Sequence, residues 1–246
     1  MPAPAFFQGL PWHALRPKRP LGLSLAGLPA RRLYRVAARR RTADATSAYL
    51  ASPTKRGIDL AGAALVLAML LPLLLLVALL IRLTSPGPVL FRQTRTGAGG
   101  RPFTILKFRS MYVVGESDGF VQQARRGDAR VTPIGRFIRR TSIDELPQLI
   151  NVLQGDMSLI GPRPHAQSHD AFYGAQIARY DERFAAKPGL SGLAQISGAR
   201  GETRELRDME RRIELDLAYI RSATLATDLR IVALTAREML FSSSAY

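Results

Sequence analysis

The chain has 246 residues, contains no cysteine and carries a formal net charge of +16. This length fits one domain with extensions, and the absence of cysteine excludes disulfides and thiolate metal sites. The positive charge is concentrated in the first half: residues 1–56 hold 11 Lys and Arg against one acid, and residues 82–140 hold 12 against three. Such a distribution favours anionic lipid headgroups, phosphate-bearing substrates or nucleic acid as partners.

Residues 1–52 are predicted to form a basic, flexible N-terminal extension. Prolines and arginines dominate residues 11–41, and the weakly apolar stretch 21–30 is interrupted by glycine and proline. That stretch therefore does not resemble a cleaved signal peptide. We expect at most a short amphipathic helix around residues 31–41.

Residues 53–84 are predicted to be a membrane helix, because Leu60 to Ile81 is a run of 22 residues without a charge. A helix of that length spans about 33 Å, enough to cross a bilayer core of about 30 Å. Pro72 lies near its middle and is expected to kink it. Basic residues flank both ends, whereas a simple span carries them mainly on the cytoplasmic side; these residues are Lys55, Arg56, Arg82, Arg92 and Arg95. The pattern allows a re-entrant helix that leaves by the face it entered, although hydropathy alone favours an ordinary span.

The remaining residues, 85–246, are predicted to be a soluble domain that is mainly α-helical with a small β-hairpin; the family resemblance given below implies that this is a cytoplasmic catalytic domain. Residues 89–93 and 103–108 are typical of two strands joined by a glycine-rich turn at 97–100. Helices are expected at 134–140, around 146–153, at 206–220 and at 228–241, from apolar residues at helical spacing. The polar residues 113–131 are expected to form a loop.

The candidate chemical centre is the Asp144–Glu145 pair. Pro147 belongs in the first turn of a helix, which places Asp144 at or near the cap, where free N–H groups keep a carboxylate ionised and attract phosphate. An ionised carboxylate beside a phosphoryl group is a candidate nucleophile, and Glu145 is a candidate Mg²⁺ ligand or proton acceptor. An ordinary capping role is the alternative, since acids are common at helix starts. Three arginines just upstream are suited to screening a diphosphate: Arg136, Arg139 and Arg140.

Two later segments have the character of phosphate- or nucleotide-binding loops, although a plain turn is the favoured interpretation of each taken alone. Gly161 to Pro164 fixes Arg163 between two prolines, so its guanidinium can be aimed. Residues 187–200 are rich in glycine and end in Arg200. His165 and His169 are four residues apart, but with no third ligand nearby a polar or substrate-contacting role is favoured over a metal site.

Six motifs occur in the order found in bacterial sugar transferases, also called monotopic phosphoglycosyl transferases, and the chain resembles this family over about residues 53–241. The nearest resemblance is to undecaprenyl-phosphate glucose phosphotransferases. The motifs are Lys55-Arg56-Gly57-Ile58-Asp59, Ser85-Pro86-Gly87-Pro88-Val89, Lys107-Phe108-Arg109-Ser110-Met111, Thr141 to Leu153, Gly161-Pro162-Arg163-Pro164 and Lys187-Pro188-Gly189-Leu190-Ser191-Gly192.

The resemblance implies an activity, a cofactor and a location. Members transfer a sugar-1-phosphate from a UDP-sugar to a polyprenyl phosphate through an aspartyl-phosphosugar, with Mg²⁺, and release UMP. Here the expected acceptor is undecaprenyl phosphate and the favoured sugar is glucose or galactose, as a first step of exopolysaccharide or other surface glycan assembly. The expected location is the bacterial inner membrane, with the catalytic domain on the cytoplasmic face. Members of the family are anchored by a re-entrant helix that is broken at a proline. The resemblance therefore favours a re-entrant helix over the simple span that hydropathy alone favours.

The resemblance also assigns roles residue by residue. Asp144 is the expected nucleophile, Glu145 is its partner, and both are expected to hold Mg²⁺. Pro72 is the expected break of the membrane helix, although Leu71 stands where the family often has serine. The expected substrate-binding residues are Lys107, Arg109, Arg136, Arg139, Arg140, Arg163, Gly189, Gln195 and Arg200; the match of the last is weakened because Ala199 intervenes before it.

A different class of function remains open on charge alone, namely a membrane-anchored basic module that binds nucleic acid or anionic lipid without catalysis. Aromatic residues are sparse among the arginines and no nucleic-acid motif is present, so nucleic acid is not an expected partner. The expected partners are a UDP-sugar, undecaprenyl phosphate and inner membrane lipids. The sequence does not define an oligomeric state.

Overall fold

The computed structural model describes residues 46–112, 127–199, 201, 203 and 205–241. Its helices are α1 (Pro53–Thr84), α2 (Pro133–Arg140), α3 (Gln148–Gln154), α4 (Gln167–Gly174), α5 (Leu193–Ile196), α6 (Leu206–Ser222) and α7 (Leu225–Phe241). Its strands are β1 (Leu90–Thr96), β2 (Pro102–Phe108), β3 (Ser158–Ile160) and β4 (Gly189–Ser191). The prediction of a mainly helical protein with a small hairpin is confirmed. The proposed helix at 31–41 and most of the predicted loop 113–131 lie outside the described residues.

Strands β1 and β2 form the predicted antiparallel hairpin, paired from Leu90 opposite Phe108 to Thr96 opposite Pro102. The turn contains Gly99 and Gly100 at φ 64° and 73°, a conformation that glycine adopts without steric cost. Residues on one face of the hairpin, such as Phe103 and Ile105, are buried, whereas Thr104 on the other face is exposed. The hairpin therefore presents one face to the domain interior.

Strands β3 and β4 form a second, parallel pair that the sequence does not predict. Ser158 lies opposite Gly189 and Ile160 opposite Ser191. The two chains approach so closely at Gly161 and Gly189 that a Cβ on Gly189 would lie 2.1 Å from the Gly161 nitrogen. Glycine at both positions is what permits this contact, and it joins the two predicted loops to each other.

Helix α1 begins and ends as the sequence predicts. The Ser52 side chain caps its first turn by accepting from the Lys55 N–H, and Pro53 occupies the first helical position. The chain leaves the helix at Ser85, directly before Pro86, because a residue preceding proline is disfavoured in a helix. Helical structure continues through Pro72, so this proline does not divide the segment into two helices.

The surface of α1 is apolar on both its packed and its open side. Ala63, Leu74, Val77 and Ile81 are buried and belong to the core formed with the hairpin, α2 and α3. On the open side, large apolar side chains such as Leu65 (64% exposed) and Met69 (71% exposed) have no protein cover. The other exposed members are Leu60, Leu71, Leu75, Leu76, Leu79 and Leu83. Among the described residues, α1 is the one helix long and apolar enough to cross a membrane.

Both ends of α1 are attached to the same domain. At its start, the Lys55 ammonium lies 2.7 Å from an Asp228 carboxylate oxygen on α7 and 3.0 Å from Asp59. The Arg56 guanidinium donates to the carbonyls of Val152 and Leu153, at the end of α3. At the other end of α1, Arg109 on the segment after β2 binds the carbonyls of Ser85 and Pro86, the first at 2.8 Å.

The described end of the predicted flexible extension is docked on the domain. The Ser47 N–H donates to the Ile220 carbonyl at 2.9 Å, and the Tyr49 hydroxyl donates to Asp228 at 3.1 Å. The prediction of a flexible segment reaching residue 52 is therefore wrong for residues 47–52. The physical reason is that Ser47 and Tyr49 find buried partners on α6 and α7, which charge and composition do not reveal. Residues 1–45 lie outside the described part.

Candidate active site

Asp144 and Glu145 lie in a short 3₁₀ turn, Ile143–Glu145, between α2 and α3. The turn is entered through Ser142 at φ 58°, the one non-glycine residue with positive φ in the described chain. Left-handed backbone is disfavoured for a side-chain-bearing residue, and such residues concentrate at functional sites. Asp144 is not the cap of α3, since Pro147 occupies that position without a side-chain cap. The predicted capping geometry is wrong because the 3₁₀ turn separates the acid pair from the helix.

Glu145 is held by two cations. Its Oε1 lies 2.9 Å from the Lys107 ammonium and 2.5 Å from Arg163, whose other guanidinium nitrogen donates to Oε2 at 3.0 Å. Burial acts to raise the pKa of Glu145, but the charges and hydrogen bonds of Arg163 and Lys107 outweigh it and hold this pKa well below its usual range. Glu145 is therefore ionised at neutral pH, and both of its oxygens are engaged.

Asp144 has the opposite environment, although it is adjacent in sequence. Its side chain is 7% exposed, and within the part of the chain that the structure describes its carboxylate makes no hydrogen bond or ion pair. Burial and the neighbouring Glu145 charge raise the pKa of Asp144 to about 6, against the opposing charges of Lys107, Arg139 and Arg163. The helix terminus was expected to keep this group ionised at low pH; desolvation instead makes it a more basic carboxylate.

The predicted basic residues divide between the site and the surface. Lys107, on the inward face of β2, and Arg163 contact Glu145 directly. Arg139 is half-buried and its charge acts on Asp144. Arg136 and Arg140, on the same helix α2, are exposed to solvent. The structure thus brings three of these five cations to the acid pair.

Arg109 makes structural contacts in this structure, and substrate binding by it stays a prediction. It is 3% exposed, and its terminal nitrogens donate to Ser85 and Pro86 at the end of α1. Its position fixes the chain leaving α1 against the hairpin.

The predicted contacts from the later glycine-rich loop also change. Gly189 permits the close approach of β4 to Gly161 in the backbone pairing, and substrate contact by it stays a prediction. Gln195 is 8% exposed, and its amide nitrogen donates to the Leu190 carbonyl at 3.3 Å. Substrate contact by Gln195 stays a prediction. Arg200 lies outside the described residues.

A buried polar network beneath Arg163 was not found from the sequence. Arg183 donates to the Arg163 carbonyl, to His165 Nδ1 and, at 2.9 Å, to an Asp216 oxygen. Burial and nearby arginines, led by Arg183, hold the pKa of His165 well below its usual range, so the ring is neutral. His165 is 6% exposed, so it is not a surface group; substrate contact by His165 stays a prediction. The network fixes the backbone of the Gly161–Pro164 segment that carries Arg163.

Magnesium fits this site only in a mode shared with a substrate. The described residues contain no group of three or more His, Cys, Asp or Glu side chains placed to hold a metal. Mg²⁺ is, however, commonly bound by one or two carboxylates together with substrate phosphates and water. The unengaged Asp144 carboxylate supplies such a ligand, with Glu145 beside it, so the donor set fits a metal that arrives with a phosphorylated substrate.

The structure combines a long apolar helix with a domain whose acid pair is surrounded by lysine and arginine. The chain belongs to the bacterial sugar transferase family, whose model matches residues 50–242. The predicted family is therefore confirmed.

Individual relatives agree with this assignment. The chain is 55% identical over 193 residues to a UDP-glucose:undecaprenyl-phosphate glucose-1-phosphate transferase of Caulobacter vibrioides, covering 78% of this chain and 72% of that protein. It is 50% identical over 192 residues to the protein of the same name in Escherichia coli K12, of which it spans 41%. It is also 44% identical over 181 residues to an exopolysaccharide production protein of Rhizobium leguminosarum, covering 72% of this chain and 90% of that protein.

Proposed function

We propose that this protein transfers a sugar-1-phosphate from a UDP-sugar to undecaprenyl phosphate, with glucose as the favoured sugar. The observation that carries the proposal is the contrast within the acid pair: Glu145 is clamped by Lys107 and Arg163, whereas Asp144 is enclosed and unengaged. Relatives named as glucose-1-phosphate transferases support the reaction and the sugar. A relative from Aeromonas hydrophila is named for N-acetylgalactosamine, so the identity of the sugar is the finer part of the proposal.

The first half of the reaction uses Asp144 as nucleophile. A carboxylate oxygen attacks the phosphorus that bears the sugar, forming an O–P bond as the bond from that phosphorus to the bridging oxygen breaks. UMP leaves with the electron pair, and the sugar-1-phosphate remains on Asp144. The cations at Lys107, Arg139 and Arg163 stabilise the charge that spreads over the phosphoryl oxygens.

The second half returns the enzyme to its starting state. A phosphate oxygen of undecaprenyl phosphate attacks the same phosphorus, the bond to Asp144 breaks, and undecaprenyl diphosphosugar is released. Mg²⁺ held by Asp144 and Glu145 would supply further neutralisation of phosphoryl charge. Because Glu145 keeps both Lys107 and Arg163 in place, its role in this proposal is to position the cations around its neighbour.

The proposed mechanism sets a pH dependence. Only ionised Asp144 is a nucleophile, and its pKa is about 6. UMP release in a single turnover is therefore expected to be constant above pH 7 and to fall by nearly tenfold per pH unit below about 6. Glu145, whose pKa is depressed, does not titrate in this window. A profile that stays flat down to pH 5, with the fold intact by circular dichroism, would contradict the assignment of Asp144.

We also propose that α1 enters and leaves the membrane by its cytoplasmic face. Straight, its 32 residues would extend about 48 Å. Its start is attached through Lys55 and its end through Arg109 to one domain, and its exposed apolar side requires lipid cover. If the helix crossed the bilayer, the hydrocarbon core would lie between its two ends. A single water-soluble domain could then not contact both Lys55 and Arg109.

This topology predicts that tags at residues 1 and 246 are both accessible only from the cytoplasm. The measurement uses single cysteines introduced at these two positions and labelled in intact cells and in inverted inner-membrane vesicles. Because the sequence has no other cysteine, each label reports one position. Labelling of the two ends from opposite sides would restore a spanning helix. Labelling of both ends in intact cells would place the domain outside the cytoplasm.

The reaction is tested by UMP release in detergent with undecaprenyl phosphate and UDP-glucose, UDP-galactose or UDP-N-acetylgalactosamine. We expect the highest kcat/KM with UDP-glucose. If a different UDP-sugar gave the highest kcat/KM, the proposed sugar would be wrong and the proposed reaction would stand. If none of the nucleotide sugars gave UMP release, the proposed reaction would be refuted. The alternative, a membrane-anchored basic module that binds without catalysis, would then be favoured.

A further inference from the structure

Arg95 lies on the same face of the β1–β2 hairpin as Lys107. In an antiparallel pair, directly opposed residues share a face and successive residues alternate. Arg95 lies opposite Phe103 and Phe91 opposite Lys107, so Arg95 and Lys107 both belong to the inward face. Arg92 belongs to the opposite face and is exposed. Arg95 therefore does not lie on the exposed face of the hairpin, although in the sequence it is one of the basic residues that follow the membrane helix.

A second contact brings Arg95 to the loop that carries Arg163. The backbone of Arg95 forms an antiparallel bridge with Ala166, three residues beyond Arg163. The hairpin and the Gly161–Pro164 segment are thereby held side by side. The two arginines approach the acid pair from adjacent elements, and the charge of Glu145 acts on both.

The Arg95 guanidinium has an unused donor. One terminal nitrogen donates to Gln93 Oε1, but Nε is enclosed and has no hydrogen-bond partner among the described residues. Buried polar groups are almost always paired, so an enclosed N–H without an acceptor marks a place where a ligand atom is expected.

The electrostatic surroundings define the sign of that ligand. Burial and the neighbouring Arg163 charge lower the pKa of Arg95 to about 10, although Asp170 and Glu145 oppose the shift. Arg95, Arg163 and Lys107 thus lie close enough for their charges to act on one another, and Glu145, the carboxylate that contacts two of them, already has both oxygens engaged. Cations that repel one another at close range are stabilised when an anion binds between them.

We propose that Arg95 is a phosphate-binding residue of the active site and donates, together with Arg163, to a phosphoryl oxygen of the substrate. The inference rests on the proposed function for its ligands, a nucleoside diphosphate sugar and a polyprenyl phosphate, which share this chemistry. Lys107 and Arg163 both engage Glu145 directly, whereas Arg95 makes no ion pair with it among the described residues and keeps an unpaired donor at Nε.

The test measures binding without turnover, in the Asp144→Asn background. UDP-glucose and, separately, undecaprenyl phosphate are titrated calorimetrically into detergent-solubilised protein with and without Arg95→Gln. We expect the Kd of at least one ligand to rise roughly 10- to 100-fold, the effect of losing a charge-assisted hydrogen bond. A rise for UDP-glucose identifies the diphosphate as the ligand group, and a rise for undecaprenyl phosphate identifies the lipid phosphate.

Two variants keep the result interpretable. Arg92→Gln removes the same charge from the exposed face of the same strand and is expected to leave both Kd values within about twofold. Arg95→Lys keeps the charge but loses the planar fork, so it should recover only part of the affinity. It also replaces Arg95→Gln if that variant does not fold.

Unchanged Kd values for both ligands in Arg95→Gln, or in Arg95→Lys where it stands in, would overturn the inference. That result together with UMP release by the wild-type protein would leave the proposed function standing. Weakened UDP-glucose binding together with no UMP release by the wild type would have the reverse meaning: the binding role of Arg95 would hold and the proposed reaction would fail.

Discussion

Asp144→Asn is expected to reduce UMP release by at least about 10³-fold, because an amide is not a nucleophile and nothing else in the site replaces it. The same change is expected to keep or raise the melting temperature at pH 7.5. The raised pKa, about 6, means that folding disfavours the ionised Asp144, and a neutral side chain of the same shape removes that cost. Loss of activity with retained stability is the signature of a group selected for chemistry.

The matched control is Asp156→Asn, which neutralises an exposed aspartate two residues after the end of α3. It is expected to leave UMP release and melting temperature near their wild-type values. If Asp144→Asn retained more than a few per cent of wild-type UMP release, Asp144 would not be the nucleophile. If Asp144→Asn lost activity because the protein unfolded, the inference that folding disfavours the ionised form of Asp144 would be wrong.

Lys55→Met is expected to destabilise the protein more than any surface change. The Lys55 ammonium lies between the buried carboxylates of Asp59 and Asp228, and Asp228 also accepts hydrogen bonds from Tyr49 and Tyr219. Removing one partner of a buried ion pair costs about 3–5 kcal/mol, because the remaining charges lose their compensation. For a domain of this size that corresponds to a fall in melting temperature of roughly 6 to 20 °C.

The comparison variant is Arg82→Met, which removes an exposed positive charge from the last turn of the same helix. Its melting temperature in detergent is expected to stay within about 2 °C of wild type. Adding Asp228→Asn to Lys55→Met should recover part of the loss, since it removes one of the two uncompensated carboxylates. A Lys55→Met protein as stable as wild type would show that this network does not attach α1 to the domain.

The sequence predicts the features that depend on local pattern. The apolar run before Ser85, the strand–turn–strand pattern around residues 97–100 and the acid pair near Pro147 are each contained in a short stretch of residues. Their local signals agree with the final structure: α1 covers Pro53–Thr84, the hairpin forms, and Asp144 lies in the site.

The features that escape prediction depend on partners far apart in the chain. Arg183 and Asp216 meet across 33 positions beneath the Arg163 loop, and no periodic pattern indicates that encounter. The pairing of β3 with β4 involves strands of three residues, too short to show an alternating pattern.

Motif membership likewise does not distinguish a ligand contact from a structural one. Lys107 and Arg109 stand two positions apart in one motif, yet the first contacts Glu145 and the second holds the end of α1. The intervening residue, Phe108, is buried in the core. Which side chain of such a motif reaches the site is decided by the contacts that each one finds in the folded chain.

The pKa of Asp144 shows the same limit in electrostatic form. A sequence places Asp and Glu side by side and suggests two similar carboxylates. The fold places two cations in contact with Glu145 and, among the described residues, none in contact with Asp144, so the pKa values move in opposite directions although burial acts to raise both. The contacts that each acid finds in the folded chain decide the direction in which its pKa moves.

The most direct measurement of the central proposal is the mass of the protein after rapid quenching with UDP-glucose in the absence of a lipid acceptor. We expect an added hexose phosphate, located by peptide mass spectrometry on Asp144 and removed when undecaprenyl phosphate is supplied. UMP release and lipid product with no adduct on Asp144 at any quench time would contradict the account.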